Sequence, residues 1–159
     1  MIMPDANLLI YSVNQDMELH HQAKAWWEDQ LSGQQIIGIP WVVLMAFIRI
    51  NTHRRIFPNP LTPAEAIGYV DDWLSRPVTR LVSPGEQHWL ILRNLIEQTG
   101  TAGNLTTDAH IAALAIEQGY VVYSADNDFK RFPGLKHINP LGFGSADRVH
   151  ETAGNYSAS

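Results

Sequence analysis

Short apolar runs alternate along this chain with longer stretches in which apolar residues recur every three or four positions. Met1 to Met3 reads as a short buried strand running into Asp5, and Asn7 to about Val13 turns into a helix. His20 to Leu31 has helical spacing and is closed by Ser32-Gly33. Gln35 to Ile39 reads as a second strand, and Trp41 to Ile50 as an apolar helix that starts after Pro40. Phe57 to Pro63 is loop, and Thr62-Pro63-Ala64-Glu65 is a helix-start signal for a helix reaching about Ser75. Val78 to Val82 predicts a third strand, Pro84 to Gln98 a helix, and Gly100 to Asn104 a flexible crossing. Thr107 reads as an N-cap for a helix that ends at Gly119, and Tyr120 to Tyr123 follows as a buried strand. Strands separated by helices, without tight hairpin signals, predict an α/β fold: a mostly parallel central sheet covered by helices in three layers.

The length of 159 residues, with 45% hydrophobic and 17% charged, suits one compact domain. It is read as residues 1–143, with 144–159, rich in small and polar residues, as a flexible tail. Eleven Lys and Arg against sixteen Asp and Glu give a formal charge of −5, so any nucleic-acid contact must be local rather than carried by a global basic field. The absence of cysteine excludes disulfides, thiolate metal sites and cysteine nucleophiles, and fits a cytoplasmic protein. The longest strictly apolar run, Trp41 to Ile48, is far short of the ~18 to 20 residues that span a bilayer. Met-Ile-Met-Pro-Asp lacks the basic segment and apolar stretch of a secretory signal, so Met1 is expected to open the folded chain.

In parallel sheets, sites gather beyond the carboxyl ends of the strands. Asp5 and Asp126 each follow a predicted strand there, and Asp108 lies in the first turn of its helix, where the dipole favours an ionised carboxylate. Any one of these acids alone is adequately explained as a cap or turn residue. Three brought to one rim repel one another, and a hard divalent cation, Mg²⁺ or Mn²⁺, resolves that repulsion. A cation so held activates water and stabilises charge on a phosphodiester, which makes nucleic-acid hydrolysis the natural reaction.

Three patterns, Pro4-Asp5-Ala-Asn7-Leu-Leu-Ile10, Thr107-Asp108-Ala-His-Ile-Ala-Ala-Leu-Ala115 and Ser124-Ala-Asp126-Asn-Asp128-Phe129, together resemble a PIN-domain ribonuclease of the VapC toxin type. The endings Phe132-Pro-Gly-Leu135 and Asn139-Pro-Leu141 are similar too, so the likeness reaches about Leu141. It implies a three-layer parallel sheet, Mg²⁺ or Mn²⁺ dependence, cleavage of structured cellular RNA of the tRNA or rRNA class, and neutralisation by a VapB-type antitoxin. It assigns Asp5, Asp108 and Asp126 to catalysis and metal binding, with Asp128 as a further acidic member. Asn7, Thr107 and Ser124 match polar positions that hold an acidic ligand or a bound water, although local capping explains them equally. One family feature is missing: Ala46 stands where a glutamate is usual, and a methyl group cannot bind a cation. That departure favours one metal over two and keeps an inactive PIN-fold module, binding RNA or protein, as an alternative.

Arg49, Arg54 and Arg55 form the densest basic cluster and are candidates for RNA phosphate or antitoxin contact, with helix-end charge complementarity as the plain explanation. Lys130-Arg131 is a weaker candidate of the same kind. The seven histidines show no i, i+4 pair of the zinc type, and His110 reads as a helix-surface residue. Trp26, Trp27, Trp41, Trp73 and Trp89 read as core or oligomer packing, and the apolar content of Trp41 to Ile50 exceeds what one helix face needs, which predicts a homodimer. A phosphatase of the haloacid dehalogenase type also places Asp after its first strand, but expects a second Asp where this chain has Asn7.

Overall fold

The computed structural model describes residues 1–100 and 102–142. Its five strands are β1 (Ile2–Pro4), β2 (Ile37–Pro40), β3 (Thr79–Val82), β4 (Val121–Tyr123) and β5 (His137–Ile138). All pair in parallel, in the order β3-β2-β1-β4-β5. The helices are α1 (Ala6–Val13), α2 (His20–Leu31), α3 (Trp41–Asn51), α4 (Pro63–Ser75), α5 (His88–Thr99) and α6 (Thr106–Gln118). From β1 the chain steps outward to β2 and β3, then returns through α6 to β4 on the other side of β1. The crevice between the carboxyl ends of β1 and β4 is therefore the switch point where α/β sheets place their ligands.

Successive strand residues point to opposite faces, and every residue of β1 and β2 is buried, so helices cover both faces as the three-layer reading expects. The apolar core joins α1, which buries Leu8, Leu9, Ile10 and Tyr11 in succession, to α6, whose Ala112, Ala113 and Ala115 are fully buried. Trp73 lies edge-on to Trp27 at 5.7 Å and to Phe47 at 4.6 Å, tying α4 to α2 and α3. A glycine is required in the middle of β2, since a Cβ at Gly38 would lie 2.5 Å from the Tyr120 ring and 2.7 Å from Val82 Cγ2. Gly119 takes the left-handed position after α6, at φ +78.

Local signals account for the boundaries that match. Thr62 Oγ1 accepts from the Glu65 N–H and Glu65 Oε1 accepts from the Thr62 N–H, a reciprocal cap behind Pro63. Other expectations need correction. The fifth helical segment begins at His88 rather than Pro84, because the N–H groups of Gly85 and Gln87 are bound by the distant Glu117 carboxylate at 2.8 and 3.0 Å. The strand β5 was not foreseen, since two residues carry no period. Of the five tryptophans, Trp27 and Trp73 are core, whereas Trp41 and Trp89 are 50% and 68% exposed. The predicted tail, 144–159, lies outside the described residues. Among those described, no helix is long and apolar enough to cross a membrane.

Candidate active site

Asp5 leaves β1 at the rim: its N–H donates to Tyr123 O at 2.9 Å, one step beyond the ladder, and its Oδ1 caps α1 by accepting from the Ala6 N–H at 2.8 Å. Across the crevice Ser124, fully buried, leaves β4. Its hydroxyl donates to Asp5 Oδ2 at 2.8 Å and accepts from Asn7 Nδ2 at 3.1 Å and from the Asp126 N–H at 3.0 Å. One oxygen thus joins residues from the ends of two strands and the first turn of α1. Asp126 in turn caps the short 3-10 turn Asn127–Arg131, accepting from the Asp128 N–H at 2.8 Å.

The third element is α6, which brings Asp108 to the same rim in its first turn. Carboxylate oxygens of Asp108, Asp126 and Asp128 all lie within 4.8 Å of one another, with Asp108 and Asp126 each only 4% exposed. Three hard oxygen donors at that spacing, two of them buried, fit an oxygen-loving divalent cation and would be costly as bare charges. Asp5 stands outside this group and is coupled to it through Ser124.

The remaining candidates fall in different places. Ser124 bonds an acid, Asp5, directly, whereas Asn7 bonds Ser124 and the Ala125 N–H rather than an acid. Thr107 does not cap its helix: α6 begins one residue earlier, after Leu105, with no side-chain cap, and Thr107 is an exposed first-turn residue. Arg49, Arg54 and Arg55 are exposed, but α3 starts at the rim, which places Arg49 about 12 Å along the helix axis away from it and Arg54 and Arg55 beyond the far end of the helix. Ala46 is half-buried and packs against the core.

Two residues of the site region escaped the sequence reading. His137 of β5 bonds through Nε2 to the Ser124 carbonyl at 3.0 Å, which steadies the loop carrying the acids; nothing local announces it. His110 is no surface residue either: its Nδ1 lies 2.9 Å from Nε2 of buried His88, where α5 docks on α6. Burial pulls the pKa of both imidazoles below the usual 6.5; Glu117 opposes this weakly at His88, while His88 adds to it at His110.

Residues 2–135 match the PIN domain family. A Mycobacterium tuberculosis protein named Ribonuclease VapC33 is 43% identical over 141 residues, covering 89% of this chain and 99% of the relative. The chain belongs to the PIN-domain family. A second relative from the same organism, Ribonuclease VapC37, is 43% identical over 136 residues, 86% of this PIN domain's chain and 94% of its own. Among solved structures, VapBC2 from Rickettsia felis, bound to a DNA fragment from its promoter, aligns at TM-score 0.63 and 21% identity over 87% of this chain and 98% of that one. Mycobacterium tuberculosis VapC20, described as a Sarcin-Ricin loop cleaving toxin, aligns at 0.61 and 19% over 86% and 99%. These likenesses support the PIN fold, and membership of that family sets aside the phosphatase reading.

Proposed function

We propose that this PIN-domain chain is a Mg²⁺- or Mn²⁺-dependent endoribonuclease that cuts structured cellular RNA, of the tRNA or rRNA class, and is neutralised by an antitoxin protein. The observation that carries the reading is the convergence of Asp108, Asp126 and Asp128 within 4.8 Å at the switch point of a parallel sheet. Those three carboxylates would hold the cation. Asp5 acts beside them, its orientation set by Ser124 and the α1 N-terminus. Bound there, a divalent cation supplies charge compensation on a phosphodiester and a more acidic water. Buried Ser124 and Asn7 fix the acids before any ligand arrives, so little reorganisation remains for the reaction. The names of the 43% identical relatives point to the same activity.

The antitoxin reading draws on a groove away from the rim. Two adjoining depressions of about 310 and 290 Å³ share Val13, Gln15 and Tyr69. The walls of the second carry Lys24, Trp27 and Glu28 of α2 and Tyr69 and Trp73 of α4, each set at the spacing of one helix face, with Arg76 just past the end of α4. An aromatic floor with charged edges suits an amphipathic partner helix. The homodimer reading draws on α3, whose Trp41 and Met45, one turn apart, are 50% and 53% exposed while Val43, Leu44 and Phe47 fill the core.

Incubating the purified chain with total cellular RNA in Mg²⁺, in Mn²⁺ and in EDTA tests the central claim: discrete cleavage with either metal and none with chelator is expected. Cleavage undiminished by chelator would sink it. A second reading, a PIN-fold module that binds without turnover, is favoured by Ala46 in place of an acidic side chain. Metal binding with no cleavage of any RNA would decide for it.

A further inference from the structure

The rim poses an electrostatic difficulty for the reaction just proposed. A chain of net charge −5 gathers its acids where an RNA phosphate must approach, so a side-chain cation fixed close by would add to the charge compensation of a bound divalent ion. The 3-10 turn Asn127–Arg131 supplies one. It starts from the Asp126 cap and ends with Lys130 and Arg131. Arg131 Nη2 donates to Asp128 Oδ1 at 2.9 Å, which sets the guanidinium one carboxylate away from the Asp108–Asp126–Asp128 group. Phe129 and Phe132, either side of it in sequence, are both buried, with ring centroids 6.2 Å apart, so the backbone presenting Arg131 is pinned to the core. The Arg131 side chain itself stays 41% exposed.

An exposed ion pair three residues apart contributes little to stability, so holding the turn together is a poor explanation for this arrangement. A guanidinium has five N–H donors in a planar fork, and a single bond to Asp128 leaves donors for a second anion. We propose that Arg131 is the phosphate anchor of this site, binding a non-bridging oxygen of the RNA backbone beside the acidic group. The proposal rests on the nuclease reading and assigns within it which residue offsets the acids.

RNA affinity can be measured without turnover by placing every variant on Asp108→Asn and following fluorescence anisotropy of a labelled RNA hairpin with a single-stranded loop over a salt series. Arg131→Gln should weaken binding about tenfold and flatten the dependence of log affinity on log salt by about 0.7, the effect of one lost phosphate contact on single strands. Arg131→Lys should keep the salt slope and most of the affinity, and Arg93→Gln, on α5 and paired with Glu97, should change neither. In the otherwise native chain, calorimetric Mn²⁺ affinity and melting temperature should survive Arg131→Gln. Unchanged RNA affinity and slope in Arg131→Gln would overturn the proposal, as would a loss matched by weaker Mn²⁺ binding or a lower melting temperature, which would reduce Arg131 to a support for Asp128. Failure of the Asp108→Asn parent to bind RNA at any salt would remove the nuclease reading and the anchor together.

Discussion

Two buried polar clusters share helix α6 and solve the same problem in opposite ways. At the rim, Asp108 and Asp126 are buried as acids beside Asp128, and the fold spends hydrogen bonds from Ser124, Asn7 and backbone N–H groups on keeping charge in place. At the α5 junction, His88 Nε2 and His110 Nδ1 share a hydrogen bond of 2.9 Å, in which one nitrogen must lack a proton, and burial holds both below the usual imidazole range. One cluster gathers carboxylates at a rim, and the other favours neutral rings where two helices dock. Substitutions should therefore separate activity from stability in opposite senses at the two places.

The largest effect belongs to the rim. Asp108→Asn or Asp126→Asn should reduce RNA cleavage by more than about a hundredfold, since even partners behind a metal ligand are worth about 10 to 100-fold. The same variants should melt at an equal or higher temperature in EDTA, because each removes one of three carboxylates crowded within 4.8 Å. A fall in melting temperature with activity intact would reverse the comparison. Ser124→Ala should lower both, with stability down by about 2 kcal/mol in a urea titration, because it leaves a buried amide and a buried carboxylate short of a partner.

At the junction, His88→Leu should cost about 1 to 2 kcal/mol by stranding His110, while His88→Leu with His110→Leu should cost less than the sum of the singles. Strict additivity would mean that the pair is no unit. The smallest effect is on pH dependence. Both folded-state pKa values lie below 6.5, so the unfolded chain takes up protons first; the stability of the neutral pair is complete above about pH 6.5 and is lost as pH falls below it. Melting temperature should drop between pH 7.5 and 5.5, and less in the double Leu variant.

What the sequence disclosed follows the same division. The rim acids were legible because each obeys a local rule: Asp5 and Asp126 end apolar runs, and Asp108 sits in a first turn. The Thr62–Glu65 cap and the left-handed Gly119 were legible for the same reason. The bond of Ser124 to Asp5 was visible only through family likeness, and the His88–His110 contact not at all, because 22 residues separate two rings that meet only when one helix docks on another. Thr107 misled because a hydroxyl before an acidic first turn imitates a cap; the chain instead enters α6 through a 3-10 turn, Gly103–Leu105. Pro84 misled because the Glu117 carboxylate, supplied from α6, takes the N–H groups that a helix would have used.

The order in which a ribosome delivers the chain gives the Ser124 bridge another meaning. Its bonds to Asn7 and Asp5 close loops of 117 and 119 residues, so almost the whole domain must be synthesised before the first acid meets its partners. A nascent chain stopped after α6 already carries Asp5 and Asp108, yet lacks β4, one of the two neighbours of β1, and with it Asp126 and Asp128. At about 5 to 20 residues per second, that leaves several seconds or more of translation during which the growing polypeptide cannot assemble the four acids at one rim. Late completion of the rim is thus a property of the strand order itself.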